Sequence, residues 1–410
     1  MSKLLSQGGF GCVYYPGIKC NGKAETNKKV VTKLQKNDES AENEIELGRL
    51  VMEINNYQLY FLPVVSSCPV SLRTIAPKLL TECASIPEED RKQMGIKKDL
   101  KKDLKKEKED KDKDQYILME IPYVINKSFY AILIDMYSSK KHIIIGLIEN
   151  YTYLLEALDT LQAKQIVHFD IKSENILYNQ QTHLPLILDF GVSLYIPNIN
   201  DQNMKQYFYV YSPDYYIWSL EIHVINFLLH EAVATLSEAD IKTISRIYVK
   251  HNKGLVNFSQ EFHADYLKAC ETYLRQFIGK DKKKTIDLLL SFYPTWDNYS
   301  LSILYLKTLS YMFPQGFHKN SLILYFSQML LYNIHPDPAK RYSLEETKQR
   351  FKDIFFMEEN VDNYVDFIDS FAYDAELTTQ AIQADLHQLG QTRAMTMTKI
   401  ARNNSNSKKK

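Results

Sequence analysis

His168-Phe169-Asp170-Ile171-Lys172-Ser173-Glu174-Asn175 carries more information than any other part of the chain, and Asp189-Phe190-Gly191 follows fourteen residues after Asn175. The first stretch sets a carboxylate base (Asp170), a cation (Lys172) and a carboxamide metal ligand (Asn175) on one loop. The second ends the apolar run Leu186-Ile187-Leu188, a predicted strand, with the carboxylate of Asp189. Taken singly, each of these residues reads as an ordinary loop side chain. In this order they supply an aimed hydroxyl, a neutralised phosphate and held metal ions, which is what phosphoryl transfer requires.

Upstream, Ser6-Gln7-Gly8-Gly9-Phe10-Gly11-Cys12-Val13 places a glycine turn among Val- and Tyr-rich strands over residues 3–35. Glycines let backbone N–H groups close on a phosphate, although such clusters also mark plain turns. Lys33 ends the strand-like Val30-Val31-Thr32 about twenty residues later, where it could reach phosphates or sit solvated at a strand edge. Residues 38–54 predict a helix, with Asp38 and Ser40 as cap candidates and Ile45, Leu47, Leu50, Val51 and Ile54 as its stripe. A phosphate-binding lysine needs an orienting carboxylate. Of Glu42, Glu44 and Glu46 on that helix, Glu44 is the choice because Ile45 beside it opens the stripe.

Residues 60–81 read as further strands with proline-marked turns, and 116–120 as another strand. Residues 143–165 read as an amphipathic helix running into the His168 loop, and about 215–355 as long apolar helices. Residues 97–114 are almost all Lys, Asp or Glu, a solvated insert, and 376–410 form a polar tail. Strands first and helices afterwards imply an α+β chain of two lobes with a cleft. Lys+Arg and Asp+Glu each total 50 in 410 residues, so no global charge draws the chain to nucleic acid or membrane. The five cysteines, Cys12, Cys20, Cys68, Cys83 and Cys270, lack metal-ligand spacing and read as thiols of a reducing cytosol. The first residues leave no room for a signal peptide, and Glu221 and His223 break the apolar run 216–236 before it could span a membrane.

Glycine turn, strand lysine, helix glutamate, catalytic loop and Asp-Phe-Gly, in this order, resemble the eukaryotic-type protein kinase superfamily. The resemblance implies a bilobal fold, with a β-rich lobe over 1–121 and a helical lobe over 122–375 that carries an insertion at about 220–295. It implies ATP and Mg²⁺ as cofactors and protein substrates with Ser/Thr acceptors, for a monomer in host cytoplasm or a viral factory. Asp170 would be the base, Lys172 the γ-phosphate contact, and Asn175 and Asp189 the Mg²⁺ ligands. Lys33, paired with Glu44, would hold phosphates beneath Leu5, Ser6, Gly8, Gly9, Phe10 and Gly11. Val13, Val31 and Leu177 would sandwich adenine, with Met119 as gatekeeper and Glu120 and Ile121 as hinge. Tyr211-Ser212-Pro213-Asp214 resembles the family's Ala-Pro-Glu element, Trp296-Asp297-Asn298-Tyr299-Ser300-Leu301 a later helix start, and Asp337-Pro338-Ala339-Lys340-Arg341 the late arginine element. An Asp214–Arg341 ion pair is then implied. In combination, the segments GGFGCVYYP, NEIELG, SPDYYIWSLEIH and TWDNYSLSILYLK are similar to the Ser/Thr kinases of large nucleocytoplasmic DNA viruses.

Four positions depart from the family pattern. Ser6 replaces the first loop glycine, and Phe169 replaces the arginine that normally awaits a phosphate in the activation loop. Between Asp189 and Pro213 the only Ser/Thr residues are Ser193 and Ser212, so activity is expected without phosphorylation there. Tyr207 stands six residues before Pro213, where Ser/Thr kinases carry threonine. Asp214 to Asp297 is longer than the family norm. A pseudokinase scaffold and a small-molecule phosphotransferase are the rival readings.

Overall fold

The computed structural model describes residues 2–8, 11–87, 90, 115–136, 140–314, 316–317, 321–356 and 380–384. The charged insert at 97–114, Gly9 and Phe10 of the glycine turn, and the tail apart from 380–384 lie outside the described residues. The chain divides into two compact units, residues 1–126 with 179–193, and residues 127–178 with 194–410.

The first unit is built on strands β1 (Lys3–Gln7), β2 (Gly11–Tyr15), β3 (Val30–Lys36), β4 (Phe61–Leu62), β5 (Ser66–Val70) and β6 (Tyr116–Pro122). Five of them form an antiparallel sheet in the order β1-β2-β3-β6-β5. The run Tyr116-Ile117-Leu118-Met119 shows no polar alternation because both faces of the sheet are covered. Tyr116 and Leu118 point into a cluster with Tyr14, Leu34 and Leu80, whereas Ile117 and Met119 point into one with Ala41 and Val64. Helix α1 (Glu39–Met52) starts at Asp38, whose side chain accepts from the Ala41 N–H at 3.1 Å; such a cap is worth about 1 kcal/mol. It buries Ala41, Glu44, Leu47, Gly48 and Val51. At Gly48 an added Cβ would lie 2.5 Å from the Val64 carbonyl oxygen, so only glycine lets the helix sit this close.

Residues 60–81 are not all strand: Pro77–Glu82 form helix α2, with proline at the first turn, where its missing N–H costs nothing. The cysteine expectation also fails. Cys12 is bonded to Cys83 and Cys20 to Cys68, with Cα–Cα distances of 5.8 and 6.0 Å, and Cys270 alone is a buried free thiol. Cysteine usage therefore gives no support to a reducing compartment.

The second unit is helical: α3 (Phe129–Met136), α4 (Lys140–Ala163), α5 (Met204–Tyr207), α6 (Leu220–His230), α7 (Glu238–His251), α8 (Gln260–Leu274), α9 (Lys282–Leu290), α10 (Trp296–Met312), α11 (Ser321–Asn333) and α12 (Leu344–Phe355). Helix α10 is buried on nearly every side, including Asp297, Asn298, Ser300, Ser302, Lys307 and Thr308. Polar groups at such depth must be paired. Asn298 donates to the Thr347 hydroxyl at 2.9 Å, Ser300 to the Ile217 carbonyl at 2.8 Å, and Lys307 to the Tyr216 hydroxyl at 2.9 Å. Among the described residues no helix is long and apolar enough to cross a membrane.

Candidate active site

In the first unit, Lys33 sits mid-strand on β3, opposite Met119 of β6. Its Nζ donates to Glu44 Oε2 at 2.6 Å and to Asp189 Oδ1 at 3.0 Å, and all three residues are shielded. Burial by itself lowers the Lys33 ammonium; the charges of Asp189 and Glu44 outweigh it, and the net shift is upward. Lys33 is thus a fixed cation. Glu44 falls on the buried seam of α1, three residues from both Ala41 and Leu47, which is why it, not Glu42 or Glu46, faces the lysine. Asp189 follows the strand Leu184–Leu188, which pairs parallel with β4. Its φ is +68°, a conformation disfavoured for a side-chain-bearing residue and found mostly where function demands it. Behind it Phe190 is buried edge-on against Phe61 at 5.9 Å. The Gly191 carbonyl accepts from Ser40 Oγ at 3.2 Å, and the Ser193 carbonyl from Asn43 Nδ2 at 3.0 Å, so α1 is laced to the Asp189 turn.

Of the residues that the sequence predicts to contact nucleotide, Leu5 is half exposed, Ser6 and Gly8 are exposed, Val13 is partly buried, and Val31 and Met119 are buried. At Gly11 an added Cβ would lie 2.5 Å from the Leu34 carbonyl oxygen, so this glycine serves strand packing. The hinge assignment needs correction. Glu120 pairs with both Thr32 and Ser66, its carbonyl accepts from the Val65 N–H at 2.9 Å, and the β3 ladder runs on to Pro122. Glu120 lies inside the sheet and Ile121 pairs with Val31 of β3 alone; the strand leaves the sheet only after Pro122.

In the second unit, Asp170, Lys172 and Asn175 converge, all buried. Lys172 Nζ donates to Asp170 Oδ2 at 2.6 Å, and Asn175 Nδ2 donates to the same oxygen and to the Asp170 carbonyl, both at 2.9 Å. The Asn175 amide nitrogen is thereby committed to Asp170. Leu177, on the strand Ile176–Asn179, is partly buried. The loop is anchored from below. Asp297, at the start of α10, accepts from the His168 N–H at 2.6 Å and the Phe169 N–H at 2.9 Å. Burial raises the Asp297 carboxyl, outweighing the opposing pull of His168 and of the two N–H groups. Phe169 has φ +69° and packs against Trp218 at 5.1 Å, Phe208 at 5.7 Å and Trp296 at 6.0 Å. A hydrophobic cluster stands where the family keeps its arginine.

The Asp214–Arg341 pair is not formed. Arg341 makes a bidentate contact with Glu221, at 2.6 and 2.8 Å, both side chains being 0 % exposed. The acidic end of the segment is therefore Ser219-Leu220-Glu221, and the family's proline is a leucine here. The count that set Tyr207 at the threonine position started from Pro213 and falls with it. Sequence reasoning also missed Tyr215. Its hydroxyl donates to Asp170 Oδ1 and accepts from Lys172 Nζ at 3.0 Å.

A carboxylate such as Asp189 and a carboxamide such as Asn175 are each the kind of hard-oxygen donor that Mg²⁺ takes when phosphates complete its shell. A lysine–glutamate pair beside an aspartate on a strand-end turn, and a buried aspartate–lysine–asparagine cluster, are the kinds of group that phosphoryl transfer uses. The protein kinase domain model matches residues 108–350, more than half of the 410-residue chain, and the protein belongs to that family. The match begins beyond Lys33 and Glu44, so their pairing is an observation independent of it. No curated protein matches the chain.

Proposed function

We propose that the protein transfers the γ-phosphoryl group of ATP to Ser/Thr hydroxyls of proteins, with Mg²⁺, and needs no phosphate in its activation segment. The observation that carries this reading is the Asp170–Lys172–Asn175 cluster, in which all three polar groups are oriented by one another. Asp170 would orient the acceptor hydroxyl and take its proton. Lys172 would offset charge on the transferred group, and Lys33, locked by Glu44, would position the nucleotide phosphates. Mg²⁺, for which the kinase resemblance implies Asp189 and Asn175 as ligands, would neutralise phosphate charge. Lysine two residues after the base supports Ser/Thr acceptors. The segments similar to large nucleocytoplasmic DNA virus kinases support a viral enzyme of that kind. Independence from activation is supported by Phe169 in its aromatic cluster and by Ser193, Ser212 and Ser219, the Ser/Thr residues between Asp189 and Glu221, which are all buried.

The test is transfer of label from γ-labelled ATP with Mg²⁺ to a basic protein, using wild-type, phosphatase-treated and Asp170→Asn protein, then phosphoamino-acid analysis. Label on Ser/Thr is expected, unaffected by phosphatase and lowered at least ~10²-fold by Asp170→Asn. Undiminished label in Asp170→Asn would overturn the role of the base. Label on tyrosine alone, or on small molecules alone, would overturn the acceptor class.

A further inference from the structure

Tyr215 stands outside the His168–Asn175 loop, and its hydroxyl is hydrogen-bonded to both Asp170 and Lys172. It lies 45 residues further along the chain and is buried. Three bonds close a triangle. Tyr215 donates to Asp170 Oδ1, Lys172 donates to the Tyr215 oxygen at 3.0 Å, and Lys172 donates to Asp170 Oδ2 at 2.6 Å. With Asn175 also on Oδ2 at 2.9 Å, each carboxylate oxygen has an internal donor and the carboxylate cannot rotate. Lys172 Nζ lies 5.6 Å from the Tyr215 ring centroid, so the ring face limits the ammonium as well.

The tyrosine is itself held. Its ring meets Trp218 edge-on at 5.1 Å, and Trp218 Nε1 donates to the Phe169 carbonyl at 3.0 Å, next to the base. The Tyr215 N–H donates to the Ser212 carbonyl at 2.9 Å, and its own carbonyl accepts from the Trp218 N–H at 3.1 Å. The turn 212–218 is therefore a rigid mount for a single hydroxyl.

We infer that Tyr215 is a positioning residue of the transfer site: its hydroxyl fixes the rotation of Asp170 and the place of Lys172, leaving the outward lone pair of the carboxylate for the acceptor hydroxyl. This rests on the reading of Asp170 as the base. Tyr215→Phe removes one oxygen and keeps the packing on Trp218. Loss of positioning alone should lower kcat roughly 10- to 100-fold and leave ATP affinity, read by calorimetry, unchanged. In an Asp170→Asn background the same change should cost less than about twofold, because a residue acting only through the base has nothing left to orient. Tyr211→Phe is the control. That buried hydroxyl belongs to the same segment, touches none of the site residues, and should keep wild-type kcat.

Wild-type kcat in Tyr215→Phe would overturn the inference. So would an equal loss in both backgrounds, or a loss of ATP affinity in step with activity, since either marks a merely structural residue. Full activity in Asp170→Asn would instead overturn the assignment of the base, a separate failure visible in the same data.

Discussion

Breaking the Glu221–Arg341 pair should cost the helical unit more than any surface change could. Glu221→Ala leaves the guanidinium wholly buried, with the His335 carbonyl at 2.9 Å and Thr295 Oγ1 at 3.1 Å as hydrogen-bond partners and the Tyr299 ring centroid at 5.2 Å. It also strips Trp296 Nε1 of its acceptor at 3.1 Å. Removing one member of a buried pair costs about 3–5 kcal/mol, and an orphaned buried donor adds about 1 kcal/mol or more. The expected total is roughly 4–6 kcal/mol, or about 10–20 °C in melting midpoint for a unit of this size. Glu221→Gln keeps the shape and one acceptor and should lose about half as much. Glu221→Leu with Arg341→Met removes both charges and should recover most of the loss. By contrast, Asp214 is partly exposed and its side chain accepts only a 3.3 Å bond from Ser212, so Asp214→Ala should cost less than about 1 kcal/mol. Intrinsic fluorescence during urea unfolding is the natural assay, because the chain's two tryptophans, Trp218 and Trp296, both lie in this unit and Trp296 touches the pair. A loss below about 1 kcal/mol for Glu221→Ala, or a larger loss for Asp214→Ala, would refute the reasoning.

Two further outcomes follow from buried groups. The disulfides Cys12–Cys83 and Cys20–Cys68 span 71 and 48 residues, so each should contribute about 4 kcal/mol through the unfolded chain; thiol titration of unreduced, denatured protein should find one free thiol, and five would refute the pairing. Burial lowers His223 to about 4, against an opposing pull from Asp214. A histidine with a depressed pKa is bound neutral, so the unfolded chain takes up more protons below pH ~6.5, and stability should fall by about 3 kcal/mol as pH drops from there to ~4. His223→Leu should flatten that slope, and an unchanged slope would refute the assignment.

The parts of the site legible in the sequence are those whose geometry is local. Asp170, Lys172 and Asn175 lie within six residues, and a loop of that length can bring them together in few ways. Glu44 was legible because a helix repeats, and the apolar stripe marked which glutamate faced inward. Glu221 was not, because its partner is 120 residues away and nothing in Ser-Leu-Glu marks it. The same applies to Tyr215, which is 45 residues from the carboxylate it orients and is one of 29 tyrosines. Cysteine spacing does not encode connectivity, so the disulfides were invisible. The hinge was misplaced because a Met-Glu-Ile string fits a strand interior as well as its exit, and only pairing through Pro122 separates the two.

Phe169 and Tyr215 share one physical basis. An arginine beside the base is a buried charge, costly until a phosphate arrives to pair it, and that cost is what makes such a loop switchable. Phe169 carries no charge. Its ring is 99 % buried among Trp218, Phe208 and Trp296, and full burial of a phenylalanine stabilises by roughly 1.5–3 kcal/mol with no second reactant required. The same Trp218 backs Tyr215, whose hydroxyl reaches Asp170. Packing that holds the segment in place therefore also holds the Asp170 carboxylate. On the proposed reading of Asp170 as the base, a segment fixed by aromatic contacts needs no phosphate to hold it, and phosphatase treatment should leave activity unchanged.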